Sequence, residues 1–396
     1  MSSLLAVSLL ARTAITAAMM ALTMHVALGL HMSYVAAGAA TAALTAGLTL
    51  GGPLLGRMTD RWGLRTVLPV TVVAQAVFWL SMPALPYRAL LGAVFAAGLL
   101  MVPVQQVTRQ AIVAMTTAEQ RRSAFALESV QGELSYMVGP AVVILCAAQA
   151  PTDVVAWGLG AAIVAGGTGI ALLDPPLRAE HEAKAGASGR PLGREWLGDG
   201  MKALLTMAFG TTALLSGVDL AVVAVLEGSD QVSRAAVVVA VLGVASVVGG
   251  LIYGALSRSL PTWLLLGLLG LLTVPVGLAH DWPWLCAAVV GTGILAAPTL
   301  SAVADAMSRL TPTGVRGEAT GLQSAALSVG SALGPPIVGM AIDTSVPAGG
   351  FVTAGLTGIT AAIIGCALSR RCASSRPFTS PRPSSPNGPA GRSGHI

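Results

Sequence analysis

The sequence predicts an all-α membrane protein with twelve transmembrane helices in two pseudo-symmetric six-helix bundles. Three observations carry this reading. Only 10% of the 396 residues are charged and 54% are hydrophobic, whereas a soluble domain carries roughly 25% charged residues. Apolar runs long enough to cross a hydrocarbon core of about 30 Å, at about 1.5 Å of rise per residue, recur along nearly the whole chain. A set of polar, glycine and proline positions in the first half returns in the second at one constant offset.

In lipid every backbone N–H and C=O needs a partner within the protein, which leaves helices or closed barrels. The runs lack the period-two alternation of barrel strands, so helices are expected. With 47 glycines, abundant alanine and 4% aromatic residues, they are thin helices that can pack closely. Breaks in the apolar pattern place the spans near residues 4–30, 35–56, 66–85, 88–112, 123–148, 152–173, 201–226, 232–256, 261–280, 283–307, 318–342 and 348–368. The first is too long for the roughly 7–15-residue core of a signal peptide and is read as a retained helix.

This divides the chain into a six-helix bundle (1–173), a polar linker (174–200) with the helix-breaking pair Pro175-Pro176, a second bundle (201–368) and a tail (369–396). The tail is rich in Pro, Ser, Gly and Arg and is expected to be disordered. With the N-terminus inside, the inner segments receive Arg57, Arg61, Arg65, Arg109, Arg121, Arg122, Arg309, Arg316 and the basic residues of linker and tail, whereas the outer loops receive Arg88 and Arg234. Such a bias orients a multi-pass protein with both termini cytoplasmic and supports an even span count.

The net charge of +5 would suggest acidic partners in a soluble protein; distributed this way it does not, and no nucleic-acid partner is expected. Cys146, Cys286, Cys366 and Cys372 have no metal-ligand or redox spacing and read as apolar fillers. No phosphate-binding loop, zinc motif or nucleophile pattern appears, so neither an enzyme nor a cofactor or metal is expected.

The repeat is specific. Arg121, Ala124, Leu127, Ser129, Gly139 and Pro140 of the fifth span match Arg316, Ala319, Leu322, Ser324, Gly334 and Pro335 of the eleventh. Gly52 and Gly56, ending the second span, match Gly250 and Gly254, ending the eighth. The two Gly-Pro pairs are candidate hinges, since proline bends a helix.

The run Gly56-Arg57-Met58-Thr59-Asp60-Arg61-Trp62-Gly63-Leu64-Arg65 resembles the loop signature of the major facilitator superfamily (MFS), with Leu64 in place of the first basic residue of its closing pair. Gly132 and Gly139-Pro140 are similar to part of the antiporter signature of its drug exporters, and Ala124 to Ser129 looks most like actinobacterial members. The resemblance covers the chain from Leu4 to Leu368. It implies the MFS fold, alternating access, a small-molecule substrate and a bacterial inner membrane. A monomer is expected.

Elementary electrostatics gives the loop a role of its own. Asp60, near a helix end, can accept hydrogen bonds from N–H groups that open a neighbouring helix, or pair with arginines, and so latch the halves together. Gly56, Arg61, Gly63 and Arg65 complete this candidate latch, and Arg57, Arg61 and Arg65 are placed to meet anionic headgroups. The second-half counterpart, Gly254 to Arg258, lacks the acidic residue, and its latch is expected to be weaker.

An ionisable residue at mid-membrane costs about 2.5–3.5 kcal/mol on insertion scales, so it faces a polar cavity or a partner. Glu133 lies near the middle of the fifth span. Glu128, one turn and a half away, projects about 140° from it, so one of the two can face a cavity while the other pairs with Arg109. Asp219 in the seventh span is the second-half candidate, with Arg12 and His25 as potential opposites in the first. Carboxyl groups in such places can exchange protons and couple transport to a proton gradient. Asp305 and Arg309 have the spacing of an intrahelical ion pair.

Proton-coupled efflux of a small amphipathic compound or secondary metabolite is the expected function. Proton-coupled uptake of a nutrient such as a sugar is the rival within transport, and a transporter-like sensor or scaffold the rival outside it.

Overall fold

The structure, a computed structural model, describes residues 2–117, 119–177, 196–227, 231, 234–256, 260–279, 281–344 and 347–374. Among these every regular element is a helix. Eleven helices are long and apolar enough to cross a membrane: α1 (Ser3–Gly29), α2 (Val35–Trp62), α3 (Leu64–Ala84), α4 (Tyr87–Met115), α5 (Arg121–Ala147), α6 (Thr152–Leu173), α7 (Asp199–Glu227), α8 (Ala235–Ala255), α10 (Trp282–Leu310), α11 (Arg316–Thr344) and α12 (Gly349–Arg371). The shorter apolar helix α9 (Thr262–Leu278) completes twelve, in the expected order.

Two apolar cores hold them. One is built from residues between Ala11 and Ile170, the other from residues between Met201 and Ala362. Large apolar side chains such as Val77 and Leu80 of α3 and Ile363 of α12 point outward, as a lipid solvent allows.

Glycines set the closest approaches. A Cβ on Gly47 would lie 2.3 Å from the Phe95 carbonyl oxygen, and one on Gly98 2.4 Å from that of Leu44, so α2 and α4 touch backbone to backbone. Gly139 of α5 meets Thr13 and Thr16 of α1, and Gly334 of α11 meets Ala213 and Ser216 of α7. The prolines beside them, Pro140 and Pro335, lie inside continuous helices. Both Gly-Pro pairs therefore sit at helix contacts within a half.

Gly63, at φ +81°, turns α2 into α3 within one residue, so Arg57 and Arg61 belong to α2, while Arg65 belongs to α3 and binds Asp174 at 3.0 and 2.5 Å. The fourth span is broken, with helices at Tyr87–Leu99 and Val104–Met115, because Pro103 has no N–H to continue the ladder. Buried Gln75 of α3 donates to the freed carbonyls of Ala97 (2.8 Å) and Leu100 (3.3 Å) and accepts from Trp79 Nε1 (3.2 Å).

The last helix runs to Ser374, past the boundary expected at residue 368. Most of the expected linker, Arg258, and residues 375–396 of the expected disordered tail lie outside the described residues.

Candidate functional site

The end of the bundle carrying the α2–α3 turn and the junction of α6 and α7 is here the linker face, and its opposite the far face. At the linker face the halves close on each other. Gly56 and Gly52 of α2 abut Gly317 and Gly321 of α11, a Cβ on Gly56 lying 2.0 Å from the Gly317 carbonyl oxygen. Asp60 accepts from the Gly317 and Glu318 amides, both at 2.8 Å. These two N–H groups lie in the first turn of α11, so the carboxylate meets both of them and the positive end of the helix dipole.

The related seam between α5 and α8 is made differently. Ser123 donates to the Gly254 carbonyl (2.7 Å) and Arg122 to that of Leu256. Side-chain donors at the start of α5 thus serve the last carbonyls of α8, where the other seam has an acidic acceptor. Further up, Gly250 meets Val130 and Gly243 meets Met137. Between these seams remains a cavity of about 20 Å³ lined by Arg109, Gln110, Gln323 and neighbours, the size of one water molecule.

Within the first half α1 packs on α5 and α6, and within the second α7 packs on α11 and α12. Tyr136 of α5 is 66% exposed and Asp219 of α7 is exposed, yet each lies within electrostatic reach of groups from the opposite half. Both therefore border one open space between the halves, here called the cleft. Glu133 lies within electrostatic reach of Asp219 from the opposite half and reaches the Ser246 hydroxyl of α8, whose oxygen accepts from the Ala297 amide at 3.1 Å.

Glu128 is fully buried and does not face the cleft. It binds Arg109 Nε at 3.2 Å through one oxygen and Arg12 through the other, so one carboxylate ties α1, α4 and α5 together. One guanidinium nitrogen of Arg109 remains buried without a protein partner among the described residues. Arg12 is thereby occupied. His25 is buried at the far end of α1 in a π-helical turn, 3.5 Å from Asp153 of α6. Neither is a charge within reach of Asp219, whereas Glu133 is.

Arg61 is exposed, and Asp305 and Arg309 pair at 2.8 Å. Tyr136 and Ser246 were not singled out by sequence. Tyr136 carried a signal, as one of only four tyrosines in a chain with few aromatics; Ser246 lies among small residues and carried none.

The model of the Major Facilitator Superfamily matches residues 4–279 and 231–393. Among solved structures, the human organic anion transporter is 16% identical, with 92% of this chain and 98% of that one covered at a TM-score of 0.72. A bacterial homologue of the iron transporter ferroportin, in an outward-facing state, is 16% identical, with 93% and 99% covered at 0.73. The proton:xylose symporter is 13% identical, with 91% and 94% covered at 0.68. No curated protein matches.

Proposed function

The chain belongs to the Major Facilitator Superfamily, and from that premise we propose that it exports a small amphipathic compound in exchange for protons. It is a multi-pass membrane transporter and not an enzyme, with a lipid bilayer as solvent and a small molecule as substrate. In our reading the moving bodies are residues 1–173 and 201–368, joined by the segment 174–200, in a monomer. The linker face is cytoplasmic, in a bacterial plasma membrane, as the arginine bias supports. Asp60 latches the closed linker face, and Gly139-Pro140 and Gly334-Pro335 let α5 and α11 flex against α1 and α7.

The observation that supports the coupling is that Glu133 and Asp219 belong to opposite halves and lie within electrostatic reach of each other. Two carboxylates in a partly desolvated cleft repel when both are ionised. A proton on one of them removes the repulsion and lets the far face close. Each loading state then favours a different arrangement of the halves, as coupled transport requires. Export is supported by the Gly132 and Gly139-Pro140 pattern of α5, and by spans poor in the Asn, Gln and aromatic groups that hold sugars.

The test is expression in an efflux-deficient host, with tolerance measured over a compound panel, followed by transport into proteoliposomes under an imposed pH gradient. Glu133→Gln and Asp219→Asn are expected to abolish proton-driven accumulation. Full proton-dependent activity in both variants would refute the coupling.

A further inference from the structure

We propose that Gly132 is the seat of the Arg12 guanidinium, and that Arg12, held there, is a positioning residue that tunes when Glu133 takes its proton. The proposal rests on the proton-coupled reading of Glu133 and goes on to say what controls that residue.

One end of the Arg12 guanidinium is fixed. Its Nη1 donates to the buried Glu128 carboxylate, and to the Glu128 carbonyl at 3.3 Å. Glu128 cannot follow a displaced Arg12, since its second oxygen is held by Arg109. The other nitrogen, Nη2, lies over Gly132, one helical turn further along α5 and next to Glu133. A Cβ at position 132 would stand 2.7 Å from Nη2, too close for any side chain, so the guanidinium can rest there only if residue 132 is glycine.

Mid-helix glycine costs about 1 kcal/mol relative to alanine. The need for close approach therefore works against helix propensity at this position.

The internal repeat supplies a second observation. The register that pairs Gly139 with Gly334 pairs Gly132 with Leu327 and Glu128 with Gln323, and on the partner helices it pairs Thr16 with Ser216 and Arg12 with Thr212. In the second half the short Thr212 hydroxyl donates to the Leu327 carbonyl at 2.8 Å. Thr212 also sits against a glycine, Gly330, whose Cβ would lie 2.3 Å from its hydroxyl, so both halves keep a close helix contact here and only the first fills it with a charge. The charged arrangement is thus an addition to a shared helix contact, and it sits in the half that carries Glu133.

The charged and titratable groups facing Glu133 are Arg12 from α1, Tyr136 from α5 itself and Asp219 from α7, with the Ser246 hydroxyl from α8. Arg12 is the sole cation among them. A fixed cation beside a carboxyl favours its ionised form and falls off with distance.

The experiment measures proton-driven transport against pH in proteoliposomes for the wild type, Gly132→Ala, Arg12→Lys, the double variant and Glu133→Gln, with thermal stability recorded alongside. Displacing the guanidinium in Gly132→Ala is expected to move the transport midpoint toward alkaline pH. The shorter, unforked cation of Arg12→Lys clears the added methyl, so the double variant should share the midpoint of Arg12→Lys alone. A midpoint unmoved in Gly132→Ala, with only a lower rate, overturns the seat while leaving Glu133 its role, provided Glu133→Gln loses its pH dependence. Persistence of that dependence in Glu133→Gln overturns the underlying reading itself.

Discussion

Asp60 receives the amide of Gly317 at 2.8 Å across the boundary between the two halves. The bond joins the end of α2 to the first turn of α11, where the backbone has donors to spare. A carboxylate at a helix N-terminus contributes about 0.3–2 kcal/mol, the upper values where it is partly buried. Asp60→Asn keeps the shape and removes the charge. It is expected to move the equilibrium between the two access states by about two- to thirty-fold toward an open linker face. Labelling a cysteine introduced at Gln323, which lines the closed cavity, should then become faster, and an unchanged rate would remove the latch from the account.

Gly56 offers a control internal to the same helix. A methyl at Gly56 would fall 2.0 Å from the Gly317 carbonyl oxygen, whereas one at Gly38 meets nothing within 4 Å. Gly56→Ala should therefore force α2 and α11 apart, lower transport at least ten-fold and expose the linker face. Gly38→Ala should transport as the wild type does. Equal activities would show that the glycine contact does not limit closure.

Glu128 is the counter-charge for two arginines in the first half. Removing one partner from a buried ion pair costs about 3–5 kcal/mol, because the remaining charge stays desolvated. Glu128→Gln should lower the Tm of the purified protein by several degrees. Replacing all three groups by apolar residues of similar size, Arg12→Met, Glu128→Leu and Arg109→Met, should recover much of that loss, since no charge is left unpaired. A triple variant less stable than Glu128→Gln would show that the network contributes more than charge compensation.

The span count and the Asp60 contact were legible because each follows from a local demand. A lipid solvent requires long apolar helices, and the acidic residue in Gly56 to Arg65 lies where a helix ends. The roles of Glu128 and Glu133 were legible only in part. Their spacing shows that they project in different directions, but which faces the cleft depends on where α1 and α4 bring Arg12 and Arg109. Asp219 could be picked out as a costly charge, but its opposite could not, because pairing across the halves is a long-range property. The break in α4 was hidden for a related reason. Leu100, Met101 and Val102 continue the apolar run, and the group that compensates the break, Gln75, lies on another helix.

At the linker face, Asp174 provides a pH prediction. Its hydrogen bond with Arg65 holds the carboxyl below the ordinary aspartate value, so the contact is complete at neutral pH and is lost as pH falls through that depressed value. Arg65 is 85% exposed on its side chain, and exposed pairs are weak and screened by salt. Arg65→Gln should thus leave the Tm at pH 7 nearly unchanged and flatten its fall below about pH 4. A large loss at neutral pH would mean that Arg65 has a role beyond this pair.

Gln75 gives the most demanding test of the fold itself. The break between Leu99 and Val104 frees carbonyls at a depth where lipid offers no donor, and non-helical backbone survives there only if protein groups satisfy it. The Gln75 amide donates to two of these carbonyls, while its oxygen takes the Trp79 indole N–H. Gln75→Leu keeps the volume and removes every one of these bonds. Each buried group left without a partner costs about 1–3 kcal/mol, so the variant should be among the least stable single substitutions in the first half. Adding Pro103→Ala gives the chain a route to a continuous α4 and should restore part of the Tm. If Pro103→Ala instead destabilises the Gln75→Leu protein further, the broken helix is held by packing around Met101 and Val102, and the glutamine is secondary.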